Sequence, residues 1–151
     1  ITTTKSEAVK WGANETASMH RLPGRSCIVI GPEGLNTDVL AHEWLHAEIQ
    51  HRVGFLRTLT EIPVWFDEGA ALTVDFRSPC LFENSNSDVT KIAGVKLLTR
   101  GKHFFSGSIR ENYQMARVAV SSRIEPATFY YDLERISEGE KFEDVFNNRN
   151  L

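Results

Sequence analysis

The chain has 151 residues, with 17 Lys plus Arg against 20 Asp plus Glu and a formal net charge of −3; that length predicts a single domain spanning 1–151. Its 41% hydrophobic and 25% charged content excludes wholesale disorder and fibrous architectures, and the mild acidity argues against a polybasic nucleic-acid surface. No run approaches the roughly 18 consecutive apolar residues of a membrane span.

Cys27 and Cys80 are the only cysteines, too few for a disulfide-rich scaffold or a four-cysteine zinc site. They can form one bridge or remain two thiols, so secreted, periplasmic and cytoplasmic locations all stay open. The sequence opens at Ile1 without an initiator Met or a charged-then-apolar leader, which reads as a mature form or an excised piece of a longer chain.

Taken in order, Ser6–Trp11 reads as a short helix. Ser26–Ile30 is the best strand, β-branched and bounded by Gly24 and Gly31-Pro32; the following Gly31-Pro32-Glu33-Gly34 makes a turn. A helix is predicted from Thr37 to Val53, capped by Asn36 or Thr37 and stopped by Gly54. Val39, Trp44, Leu45 and Ile49 place apolar surface on more than one side of it, as in a largely buried helix. The next helix begins near Pro63, which suits a first turn, and runs through Leu72. Pro79–Val89, with Asn84-Ser85-Asn86-Ser87, reads as an exposed loop. Four helices follow, about Asp88–Thr99, Ser108–Ser122, Pro126–Ile136 and Phe142–Asn147, separated by Gly101, Gly107 and Gly139. Phe129, Leu133 and Ile136 form a core-facing stripe. The fold class is therefore α+β, mostly helical, with a small N-terminal β-sheet.

His42-Glu43-Trp44-Leu45-His46 carries the chemistry. Two histidines four apart on a helix project from one face and can hold one metal ion, while Glu43, one residue past the first, can act as a base without serving as a ligand. Zinc lowers the pKa of bound water to around 7, and a carboxylate must then take its proton. On a helix whose other positions are apolar, these ionisable groups are costly unless paired or metal-bound. The next helix supplies Trp65-Phe66-Asp67-Glu68-Gly69-Ala70, and two histidines with one glutamate are a set that a catalytic zinc accepts.

HEWLH followed by WFDEGAA resembles the gluzincin zinc metallopeptidases, and within them the short bacterial peptidase domains with HExxH, a loop and W-x-x-E-G-x-A. The likeness runs from roughly Ile28 to Phe146, strongly at the two motifs and weakly over Tyr113–Val118 and Gly139–Phe146. It implies a zincin-like fold with the small sheet packed on the HExxH helix, Zn2+ held by His42, His46 and Glu68, and Glu43 as general base. It also implies Tyr113 as the hydrogen-bond donor to the oxyanion, Gly69 and Ala70 as small residues that let the two zinc-bearing helices approach, and Ile28–Gly31 as the edge strand that binds substrate backbone. The implied activity is hydrolysis of peptide bonds in a peptide or protein substrate, by an endopeptidase rather than an exopeptidase. A zinc-binding regulatory domain with narrow or no turnover, and a metal-dependent hydrolase of non-peptide amides or esters, are the alternative readings. Oligomeric state is not readable.

The remaining polar residues read more plainly. A metzincin needs Gly three residues after the second His and a further His three beyond; Ile49 and Arg52 stand there. His51 then serves the helix end, and His20 and His103 are structural or surface residues, although the Gly101–Gly107 loop could bring His103 near the site. Asp67 and Asp75 are candidates for orienting a ligand imidazole, with a solvated acid as the simpler reading. Arg117 reads as a salt-bridge residue and Cys27 as a small buried hydrophobe.

Overall fold

The computed structural model describes residues 1–77 and 89–146. The expected Pro79–Val89 loop falls outside these residues up to its last position, as do Cys80, Asp88 and Asn147. The architecture is mostly helical with one two-stranded antiparallel sheet.

Helix α1, Lys5–Lys10, is capped by Thr4, whose side chain accepts from Glu7 N at 3.2 Å. Strands β1, Ala17–Leu22, and β2, Arg25–Ile30, form a hairpin with Ala17 opposite Ile30 and Leu22 opposite Arg25. Sequence reading identifies β2 and misses β1, because Ala17-Ser-Met-His-Arg-Leu22 has no β-branched residue. The missed signal is Pro23-Gly24. Pro presets the first corner of a type II turn, and Gly24 takes the positive φ, 74°, that the second corner requires.

Helix α2, Thr37–Val53, has the expected bounds. Asn36 caps it through Oδ1, which accepts from Asp38 N at 2.8 Å, and Gly54 turns away at φ 86°. The chain does not stay unwound there. Helix α3, Phe55–Glu61, restarts at once, and only then comes α4, Val64–Thr73, with Pro63 as its N-cap rather than in its first turn. The hairpin lies on α2 and is fastened by one residue: Gln50 Nε2 donates to Leu22 O at 3.1 Å and to Arg25 O at 2.9 Å. Both carbonyls flank the Pro23-Gly24 turn, so this clasp fixes the hairpin's register over the helix.

The rest of the described chain comprises α5 (Val89–Val95), α6 (Gly101–Phe104), α7 (Ile109–Ser121), α8 (Phe129–Glu138) and α9 (Phe142–Phe146). The core joins Leu45, Ile49 and Val53 of α2 to Phe66 and Ala70 of α4, Ala116 and Val120 of α7, and Leu133 and Ile136 of α8. Phe142 and Phe146 close it from α9, their rings 4.8 and 4.5 Å from Phe66. Each of the Leu, Ile, Val and Phe side chains contributes about 1.5–3 kcal/mol on burial.

Two expectations are corrected. Trp44 is 61% exposed, so α2 buries one broad face rather than its circumference. Gly69 faces α7, not the HExxH helix: a Cβ there would lie 2.5 Å from Ala116 O and 2.6 Å from Val120 Cγ2. The close crossing that needs a small residue is α4 on α7. Gly69→Ala is expected to destabilise the fold by about 1–3 kcal/mol, as overpacking against a rigid backbone does. An unchanged midpoint in denaturant unfolding would show that the crossing relaxes freely.

Candidate metal centre

The four-residue spacing in α2 brings the two imidazoles together, with His42 Nε2 and His46 Nε2 3.3 Å apart. Glu68 Oε2, from α4, stands 3.7 Å from each. Three donors on a tetrahedral zinc, with bonds of about 2.0–2.2 Å, sit ~3.3 Å apart. The triangle therefore has the size that such an ion requires, and its donors, two imidazoles and one carboxylate, form a set that zinc accepts. Among the described residues this is the one His, Cys, Asp and Glu group so arranged.

The imidazoles are aimed from behind. Asp67 Oδ2 lies 3.0 Å from His46 Nδ1, and Asp75 Oδ2 lies 3.3 Å from His42 Nδ1. A carboxylate close to Nδ1 favours the tautomer that leaves Nε2 for a metal. The earlier histidine meets the later aspartate, so α2 and α4 run antiparallel across the centre. Each aspartate is itself held. Arg21 of β1 pairs with Asp67, while Arg77 Nε donates to Asp75 Oδ1 at 2.9 Å and Arg117 donates to the Asp75 carbonyl at 2.8 Å. Asp67 and Asp75 are buried, at 5% and 0% exposure, which rules out the solvated reading for both.

These pairings decide the protonation states. Burial alone would raise the Asp67 carboxyl, but the His46 ring and the Arg21 guanidinium hold it down to about 2. Asp75 is likewise pushed well below the carboxylate range, its burial outweighed by Arg77 and His42. In the metal-free chain, burial opposes a charge on His42, yet Asp75, Glu68 and Glu43 raise its pKa to about 9. His46 is raised in the same sense by Asp67 and Glu68 against its burial. The cage is thus built for positive charge, which two protons or one divalent cation can supply.

On its open side the centre faces a cavity of about 420 Å³, and His42, Glu43, His46, Glu68 and Tyr113 all line it. The Tyr113 ring is set by an edge contact with Phe104 at 5.4 Å and a tilted contact with Phe105 at 6.4 Å. The strand bordering the cavity is β1, through Ala17, Ser18, Met19 and Arg21, and not the Ile28–Gly31 run of β2. Thr16 O accepts from Gly31 N at 2.6 Å. By the alternation of an antiparallel ladder, Ala17, Met19 and Arg21 therefore turn their main-chain N–H and C=O groups to the outer edge. Among the described residues no strand other than β2 pairs with β1.

Other sequence candidates stand elsewhere. His51 is exposed beside Trp44 on a different surface, His103 is exposed on α6 outside the cavity lining, and His20 packs against Gly12. Cys27 is exposed, not buried. Arg21 and Gln50 are the residues that sequence reading missed. No protein family, curated protein or solved structure matches the chain. Among the described residues no helix is long and apolar enough to cross a membrane.

Proposed function

We propose that the chain is a zinc-dependent peptidase of the gluzincin type, acting within peptide chains. The observation that carries this reading is the joint placement of the His42, His46 and Glu68 donor triangle with Glu43 and Tyr113 on one open cavity. A purely structural zinc site closes its fourth position with another ligand; here the donors look onto a cleft wide enough for a substrate.

His42, His46 and Glu68 would hold the ion, which supplies a water acidified to a pKa near 7 and a Lewis acid for a carbonyl. Glu43, on the same cavity, would serve as the base that accepts a proton from the attacking water and returns it to the leaving amine. Tyr113 donates a hydrogen bond to the carbonyl oxygen as negative charge develops on it. The outward main-chain groups of Ala17, Met19 and Arg21 give an extended peptide an edge to pair with, which orients its backbone irrespective of side chains.

The test is cleavage of a diverse peptide library, read by mass spectrometry, with zinc-loaded wild type beside Glu43→Gln. Internal cuts made by the wild type are expected, with turnover about 10²–10⁴-fold lower in the variant. Equal cleavage by both proteins would remove Glu43 as the base. An inert wild type, zinc-bound and folded, would favour a zinc-binding regulatory domain.

A further inference from the structure

A second cavity, of about 310 Å³, adjoins the metal centre and shares two wall residues with it, Arg21 and Asp67. Leu59, Ile62 and Val64 give it an apolar side, and Arg100 is the second arginine in its lining. The two arginines differ in their state. Arg21 is neutralised by Asp67, which also serves His46. Arg100 is exposed, and among the described residues no carboxylate pairs with it.

The Arg100 backbone is nevertheless fixed. Its carbonyl accepts from His103 N and Phe104 N at 3.0 Å each, and the neighbouring Thr99 carbonyl accepts from Val64 N at 3.1 Å. An uncompensated cation on an anchored backbone, facing a pocket whose one acid is already engaged, leaves the cavity with net positive charge. Its lining therefore suits a side chain that is aliphatic along its stem and anionic at its tip.

We propose that this cavity is a specificity subsite for a glutamate side chain of the substrate, with the methylenes on Leu59, Ile62 and Val64 and the carboxylate on Arg100. The assignment rests on the peptidase reading of the adjoining centre. A charge-assisted contact at this exposed arginine corresponds to about a fivefold preference for Glu over its neutral isostere Gln, ~1 kcal/mol. A Lys side chain is repelled.

The experiment uses the full chain loaded with zinc and peptide sets differing only by Glu, Gln or Lys at one position, scanned along the peptide. The kcat/KM ratio is measured for wild type, Arg100→Ala and Arg100→Glu. Affinity for the same peptides is measured on Glu43→Gln by fluorescence anisotropy, which reads the subsite without turnover. Expected is a Glu preference at one position that collapses toward unity in Arg100→Ala and turns into a Lys preference in Arg100→Glu. Cleavage with no Glu preference, or a preference unchanged by Arg100→Ala, overturns the subsite and leaves the peptidase standing. Arg100-dependent Glu binding with no cleavage by the wild type overturns the peptidase and leaves the pocket standing. Neither binding nor cleavage overturns both.

Discussion

Replacing Glu68 by Gln should weaken zinc binding by about 100–1000-fold while leaving the metal-free fold in place. Structural zinc sites with four ligands are worth about 10–16 kcal/mol, so each ligand carries ~2.5–4 kcal/mol, or about two to three orders of magnitude. Glu68 Oε2 is the third corner of the donor triangle, 3.7 Å from both Nε2 atoms, and its amide isostere keeps the shape but presents no anionic oxygen. The informative comparison is with Glu43→Gln. Both glutamates line the same cavity, but only Glu68 belongs to the triangle. Competition against a chromophoric chelator should therefore separate them, with Glu43→Gln near wild type. Equal affinities for the two variants would mean that Glu68 is not a ligand, and the zinc reading would fall with it.

The reach of sequence reasoning follows the distance over which each contact acts. Helix α2 and its cap were legible because Asn36, the His42–His46 spacing and Gly54 are all local signals. Glu68 was legible only through a motif pattern, since nothing in the residues of α4 says that α2 lies beside it. Arg21 could not be read at all: its partner is 46 positions away, and β1 itself was masked by weak strand propensity. Helix α3 was missed for a different reason. Gly54 does end α2, but a helix stop signal says nothing about whether the next turn restarts. Trp44 and Gly69 show the converse error. Large apolar residues were read as buried and small ones as serving the nearest known partner, whereas tertiary packing exposes Trp44 and sets Gly69 against α7.

The histidine–carboxylate cage explains how such polar residues persist beneath the sheet. His42 and His46 are 8% and 6% exposed, and an unpaired charge at that depth would cost several kcal/mol. Each imidazole instead faces an aspartate, and each aspartate an arginine from outside α2 and α4. Arg21 has a second consequence. By reaching from β1 to Asp67, it ties the strand that borders the cavity to the carboxylate beside His46, so the cavity edge and the candidate metal centre are held by one contact.

That cage fixes opposite pH dependences for the stability of the metal-free protein and for the increment that zinc adds to it. Without metal, His42 is raised from 6.5 to about 9. Its stabilising contribution is complete below pH 6.5 and disappears as pH rises through about 9, a loss on the order of 3 kcal/mol. His46 shifts in the same direction. Asp67, lowered from 3.8 to about 2, stabilises fully above 3.8 and loses that contribution as pH falls through about 2, with Asp75 acting in the same sense. The apo protein should therefore be most stable between about pH 4 and 6.5 and soften toward pH 9. Zinc requires neutral imidazoles, so its binding expels those same protons and strengthens as they leave. The Tm increment produced by a fixed excess of zinc should then grow across pH 6.5 to 9 while the apo Tm falls. Thermal unfolding in chelator and in zinc, over one pH series, measures both slopes. An apo Tm that rises over this range would show that the carboxylates do not hold the imidazoles protonated. A zinc increment that stays flat would show that the ion does not compete for His42 and His46, and the cage would then be an ion-pair network with no metal to serve.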